Sequence, residues 1–271
     1  MFSKNFITLL NEAQFTADIL ASGITQIGKI NYAKKGLYFT SFTSLSTGLE
    51  RIGKLCLIVD FYLQNNKFPD DKILKNEIGH DLEKLYEKSK EIINYHNIKL
   101  SFLENLDDQI YTDILSILSR FAKGDRYSNI NFLSQSKFQA DPIHEWYTKV
   151  ETILFDKRVS QGKKNSISQK AKFVNQMIGK NSSVLYFDEK GNVLKSIEEA
   201  SFKTGLYEAV SKYRQLYIAQ IIRYWIEILR ELHYISIKKK STDIPHFGEV
   251  FPIFYNEDSY LLTRKNFERI R

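Results

Sequence analysis

Three short stretches of this 271-residue chain carry side chains able to hold a phosphate or move a proton. The first, "LERIGKL", places Glu50 and Lys54 four residues apart with Arg51 beside them. The second, "GHDLEKL", opens with His80 and Asp81, and the third, "GDRYSN", contains Arg126 and Tyr127. An imidazole titrates near neutrality, so His80 suits ligand binding or general acid–base work. A guanidinium presents a planar fork of donors that matches phosphate, which suits Arg126. Each stretch also has a purely structural reading. Glu50 and Lys54 have the favourable order for a helical ion pair, contributing about 0.3–0.5 kcal/mol on a surface. His80 could instead tie the 66–79 loop to the preceding helix, and Arg126 could brace the turn at 123–129.

These stretches need rods to carry them, and the apolar spacing supplies rods. Tyr38, Phe42, Leu45, Leu49, Ile52, Cys56, Val59 and Leu63 alternate in steps of four and three, which predicts a helix over 37–65. "NNKFPDD" with Pro69 breaks it. A second helix is expected from Asn76 or Gly79 to about Tyr95, with Asp81 and Glu83 at the positive end of its dipole. A third runs from Asp108 to Ala122 on Ile110, Ile114, Ile117 and Phe121. Further helices are predicted over 6–21 (stopped by Gly23), from Pro142, over 166–179, over 196–203 and over 206–236. "SVLYFDEKGNVLKS" reads as a two-stranded hairpin around a glycine turn, and "VFPIFYNEDSYLLTRK" as a second. With only 4 Pro and 12 Gly, few segments are interrupted, which favours long helices. The expected fold class is mostly α, a helical bundle over 1–135 and a helical extension with one or two small hairpins over 136–271. The two parts could equally form one continuous domain.

The order of Glu50 and Lys54 on one helix, His80, Asp81, Leu82 and Leu85 opening the next, and Arg126-Tyr127 after the third resembles the HEPN superfamily over roughly residues 32–135. That resemblance implies a small all-α bundle and a place in a prokaryotic-type defence or stress system, such as antiviral defence or a toxin–antitoxin pair. It also implies binding of RNA or nucleotide in a polar cleft lined by Glu50, Arg51, Lys54, His80, Arg126 and Tyr127, and a homodimer. Many members are ribonucleases marked by Arg, four to six residues, then His. Here Arg230 and His233 stand only three apart, and the basic residue before His96 is Lys90. The catalytic spacing is therefore absent, and no catalytic pair is assigned. The alternative is a non-catalytic dimerisation or scaffold protein.

Other patterns bound the chemistry. Walker loops, dinucleotide glycine fingerprints, HExxH and nucleophile elbows are missing. The five histidines, at 80, 96, 144, 233 and 246, include no pair at metal-binding helical spacing, and Cys56 stands alone. No metal or cofactor is expected. The longest apolar run, "LCLIV", is too short to span a bilayer, and the first residues lack a secretory leader pattern, so no membrane role and a cytoplasmic location are expected. The formal charge of +7 permits nucleic-acid contact without requiring it. The cations cluster at 156–172 and 238–240, and Arg264 and Lys265 close an aromatic-rich tail where bases could stack or a hydrophobic clasp could form.

Overall fold

Ser3 opens the first helix by accepting a hydrogen bond from the Phe6 amide at 3.1 Å, which satisfies one of the otherwise unpaired amides of a helix start. From there α1 (Lys4–Ile27) buries Leu9, Ala13, Ala17, Leu20 and Ile24. It does not stop at Gly23. A side chain there would lie 2.9 Å from Leu45, and one at Gly48 would lie 2.6 Å from Leu20. The glycines let α1 and α2 (Gly36–Asn65) cross closely, and Ser41 Oγ donates to the Gly23 carbonyl at 3.0 Å. Leu45 against Gly23, Gly48 against Leu20 and Arg51 against Glu12 fix the pair as antiparallel. The stripe expected over 37–65 is the buried face of α2. The structure is a computed structural model, and it describes residues 2–74, 81–137 and 140–268.

Asn66 ends α2 in a left-handed conformation, φ 53°. The short turn α3 (Asp71–Ile73) follows. α4 (Leu82–His96) starts on Asp81 and ends on Asn97, again left-handed at φ 53°. α5 (Gln109–Lys123) starts on Asp108 and buries Ile110, Ile114, Ile117 and Phe121. A 3-10 turn, Asp125–Tyr127, leads into α6 (Ser128–Leu133). α7 (Pro142–Trp146) passes through one π-helical turn, Tyr147–Glu151, into α8 (Thr152–Arg158). α9 (Gln161–Ile178) follows a Ser160 cap.

The axis of the molecule is α10 (Ile197–Lys238), 42 residues or about 63 Å long. From Leu216 to Leu229 it is buried on almost every side, as expected of a helix surrounded by others. The spacing predicted two helices separated near Gly205, and the chain forms one. Gly205 serves packing there, because a side chain would lie 2.6 Å from Ile167 of α9. α10 joins both halves of the chain. Ser89 Oγ meets the Tyr224 hydroxyl at 2.8 Å, and the Tyr111 hydroxyl donates to Gln220 at 2.9 Å. Residues on both sides of position 135 share one hydrophobic cluster.

Neither expected hairpin forms a ladder among the described residues. The first is a tight turn around Gly191, φ 85°, closed by a single antiparallel bridge between Phe187 and Val193. Its ladder stops because Leu194 and Glu189 turn into the core while Leu185, Tyr186 and Phe187 face out. In the second segment, turns over 251–256 lead to α11 (Asp258–Thr263). Phe247, Phe251, Phe254, Leu261 and Phe267 are each fully buried, so these aromatics act as wedges against the bundle and leave no free strand face. No helix among the described residues is long and apolar enough to cross a membrane.

Gly205→Val tests the α9–α10 contact. It should lower unfolding free energy by about 1–3 kcal/mol through overpacking against Ile167, despite the weak helix propensity of glycine. Urea denaturation measures it, and an unchanged midpoint would contradict the close approach.

Candidate functional site

Glu50 and Lys54 pair on the surface of α2 at 2.9 Å, each 22% exposed. Arg51 turns the other way and pairs with Glu12 of α1 at 2.8 Å. His80 lies outside the described residues. Its neighbour Asp81 caps α4, accepting from the Glu83 amide at 3.1 Å, and also from Ser119 Oγ at 3.1 Å and Lys123 Nζ at 2.5 Å. Burial would raise this carboxyl, but the bonds from Lys123 and Ser119 outweigh it and hold the group below the usual carboxylate range. Arg126 is exposed, with its guanidinium 5.2 Å from the centre of the Tyr127 ring. The arginine that braces the turn is Arg120, which pairs with Glu145 and reaches Asp125 at 3.9 Å. Among the described residues, the contacts of Arg126 and Tyr127 do not reach Glu50, Arg51 or Lys54.

A second polar group lies deep in the molecule. The π-helical turn sets Glu151 against α10, where Arg214 donates to its Oε1 at 2.6 Å and Trp146 Nε1 donates to the same oxygen at 2.8 Å. Arg214 also donates to the Tyr207 carbonyl at 2.6 Å. Two turns back along α10, the Tyr207 hydroxyl donates to Glu189 at 2.6 Å and meets the Tyr38 hydroxyl at 2.7 Å. Lys203 donates to the other Glu189 oxygen at 2.5 Å. Burial raises both phenols well above the ordinary value, so they remain neutral donors. Burial would lower the Lys203 ammonium, but Glu189 overcomes it and holds the group above its usual value. Among the described residues, Glu151 Oε2 and Arg214 Nε find no hydrogen-bond partner. Lys203, Tyr207 and Arg214 fall on one stripe of α10, at steps of four and seven. That stripe is the one signal in the sequence that could have revealed the group.

Outside this core lies a cleft of about 1090 Å³. Its floor is α10 between Thr204 and Gln215, about 17 Å of helix. Seven basic side chains and one acidic side chain, Glu208, line it among the described residues. Lys29 comes from the turn after α1, Arg158 and Lys163 from either side of the α8–α9 junction, Lys212 from α10, and Arg264 and Lys265 from the segment after α11. Arg214 reaches the wall from inside. The Arg158 guanidinium lies over two rings, 5.3 Å from Tyr213 and 5.8 Å from Tyr217, and Lys212 stands 4.9 Å from Tyr213. None of Lys29, Arg158, Lys163, Lys212 and Lys265 is ion-paired with another described residue. The start of α9, at Ser160, also opens here and adds the positive end of a helix dipole. The sequence pointed to the cluster at 156–172 and to Arg264 and Lys265, but not to their meeting with Lys29 and Lys212. No group of three or more metal-ligating side chains occurs among the described residues.

No known family model, curated protein or solved structure matches the chain.

Three variants test these polar groups. Arg214→Met strands the Glu151 carboxylate and should cost about 3–5 kcal/mol, while the double variant Arg214→Met/Glu151→Leu should recover much of the loss. Equal losses in a urea-denaturation cycle would contradict the pairing. Asp81→Ala should cost about 1 kcal/mol at neutral pH by removing the cap. Because the folded carboxyl titrates low, its contribution is complete above about pH 4 and disappears as pH falls through the lowered value. Thermal melts of both proteins across that range should converge at the acid end.

Proposed function

We propose that this protein binds RNA or nucleotide through phosphate contacts in the cleft along α10. One observation carries the reading, the convergence of Lys29, Arg158, Lys163, Lys212, Arg264 and Lys265 from five separate parts of the chain on one hollow. Like charges gathered on one hollow repel, so an arrangement of this kind favours an anion between them. Arginine held over tyrosine faces keeps its donor edge free for phosphate. The α9 start supports an anion in the same place.

The HEPN-like reading of residues 32–135, with the defence or stress role it implies, belongs to the same proposal. The succession of α2, an α4 opening on Asp81, and α5 followed by Asp125-Arg126-Tyr127 supports it. Binding without cleavage is the favoured activity, since the Arg-to-His spacing of the family's nucleases is missing from the sequence. A scaffold or homodimer reading has its own support. Ile130, Phe132 and Leu133 of α6 are 63%, 70% and 82% exposed, an apolar surface that a second copy could cover.

Titration of labelled RNA at roughly 50 and 200 mM salt tests the cleft. Affinity should fall steeply with salt. Replacing Arg158 and Lys212 together by Ala should weaken binding and reduce the log–log salt slope by about 1.4, near 0.7 per lost phosphate contact on a single strand. No binding at low salt, or a double variant that binds like the native protein, would reject the cleft and leave the scaffold reading.

A further inference from the structure

The turn between α9 and α10 presents an unusual surface. Leu185 is 86% exposed, Tyr186 52%, Phe187 53% and Val193 57%, while Leu194 beside them is buried. Large rings left in water on a loose loop would collapse inward, but this loop is pinned. Glu189 is held in the core by Lys203 and Tyr207. The Asp188 side chain accepts from the Lys190 and Asn192 amides, both at 2.8 Å, and Lys35 Nζ donates to the Asp188 carbonyl at 2.8 Å. The outward rings are therefore preorganised.

The loop also sits at the edge of the basic cleft. The Tyr186 ring stands edge-on to Tyr32 with centroids 6.1 Å apart. Tyr32 follows directly on the cleft residues Ile30 and Asn31, and its hydroxyl donates to the Ala200 carbonyl at 3.2 Å and approaches Thr204 at 3.4 Å. Thr204 is the near end of the cleft floor. A strand whose phosphates follow the cations along α10 would thus leave the cleft beside Tyr186 and Phe187.

We propose that the 184–194 loop is a base-stacking platform and that the ligand is a single-stranded nucleic acid, its phosphates in the cleft and its emerging bases on Tyr186 and Phe187. This rests on the phosphate-binding reading of the cleft. A duplex hides the faces of its bases, so exposed rings next to a cationic groove fit a single strand. The lysines around the loop, Lys35, Lys190 and Lys195, disfavour a second copy of this basic chain. The tip of the turn, Asp188 to Asn192, is polar, whereas a loop that dips into a lipid surface carries its apolar residues at the tip.

Fluorescence anisotropy decides the matter with single strands of about four and about twelve nucleotides, as RNA and as DNA, and a duplex of the longer sequence. The longer strand should bind more tightly than the short one and more tightly than the duplex. Tyr186→Ala and Phe187→Ala should each weaken the longer strand about 5- to 150-fold, leave the short strand unchanged, and be rescued by Trp at the same position. Either sugar binding in this way supports the platform. Salt-sensitive short-strand binding with no loss of long-strand affinity in the alanine variants would overturn the platform and leave the cleft standing. Absence of short-strand binding would remove the cleft itself. Equal affinity for duplex, or loop-dependent capture by vesicles of anionic lipid in place of the strand, would also overturn it.

Discussion

A carboxylate and a guanidinium removed from water must find each other, and in this protein that requirement links distant parts of the chain. Glu151 and Arg214 are almost wholly buried, at 0% and 1% side-chain exposure. Such a pair contributes little net stability over apolar residues of the same shape, because desolvation offsets the attraction. It does penalise every arrangement in which the partners are separated. The π-helical turn must present Glu151 toward α10, and α10 must present Arg214 toward that turn. The Tyr38–Tyr207–Glu189–Lys203 chain extends the demand to α2 and to the loop before α10. Register along the long helix is thereby set by polar contacts as well as by apolar packing.

The same helix has two chemical regimes. Its middle, around Ile221 to Leu229, is enclosed by apolar neighbours and gives the bundle its axis. The part from Thr204 to Gln215 is enclosed on one side and open on the other. Arg214 and Tyr207 face the inner network while Lys212 and Glu208 face the solvent. A rigid inner face behind an open outer face is a good base for binding, since positions held by packing do not have to be ordered when a ligand arrives.

Much of the scaffold was legible from spacing. The stripe from Tyr38 to Leu63 and the one from Ile110 to Phe121 repeat at three and four residues, and nothing else satisfies that period. Gly23 was misleading because glycine stops a helix in one context and admits a neighbour in another, and only the position of Leu45 distinguishes them. The aromatic runs around Phe251 and Phe254 resembled strands for a similar reason. Local composition gives no sign that each ring will be driven into a separate gap. The cleft was legible in fragments. Its cations lie at positions as far apart as 29 and 265, and their meeting depends on how α1, α9, α10 and the tail pack, which no local pattern encodes. The deep group could have been suspected from Lys203, Tyr207 and Arg214 on one stripe, but Glu189 comes from a loop and Glu151 from a π-helical turn, whose facing the spacing does not give.

The π-helical turn at Tyr147–Glu151 has a consequence for how this chain can change over generations. Such a turn holds one residue more than its surroundings need. Deleting that surplus residue would rewind the rod into a uniform α-helix and leave the segments on either side close to their present phase, because the wide turn has already absorbed the extra residue. The change would be confined to the turn that carries Glu151, while the α8–α9 junction would keep Arg158 and Lys163 at the cleft. A lineage could therefore gain or lose one residue at this wide turn without turning the helix beyond it, which an ordinary α-helical stretch of the rod would not allow.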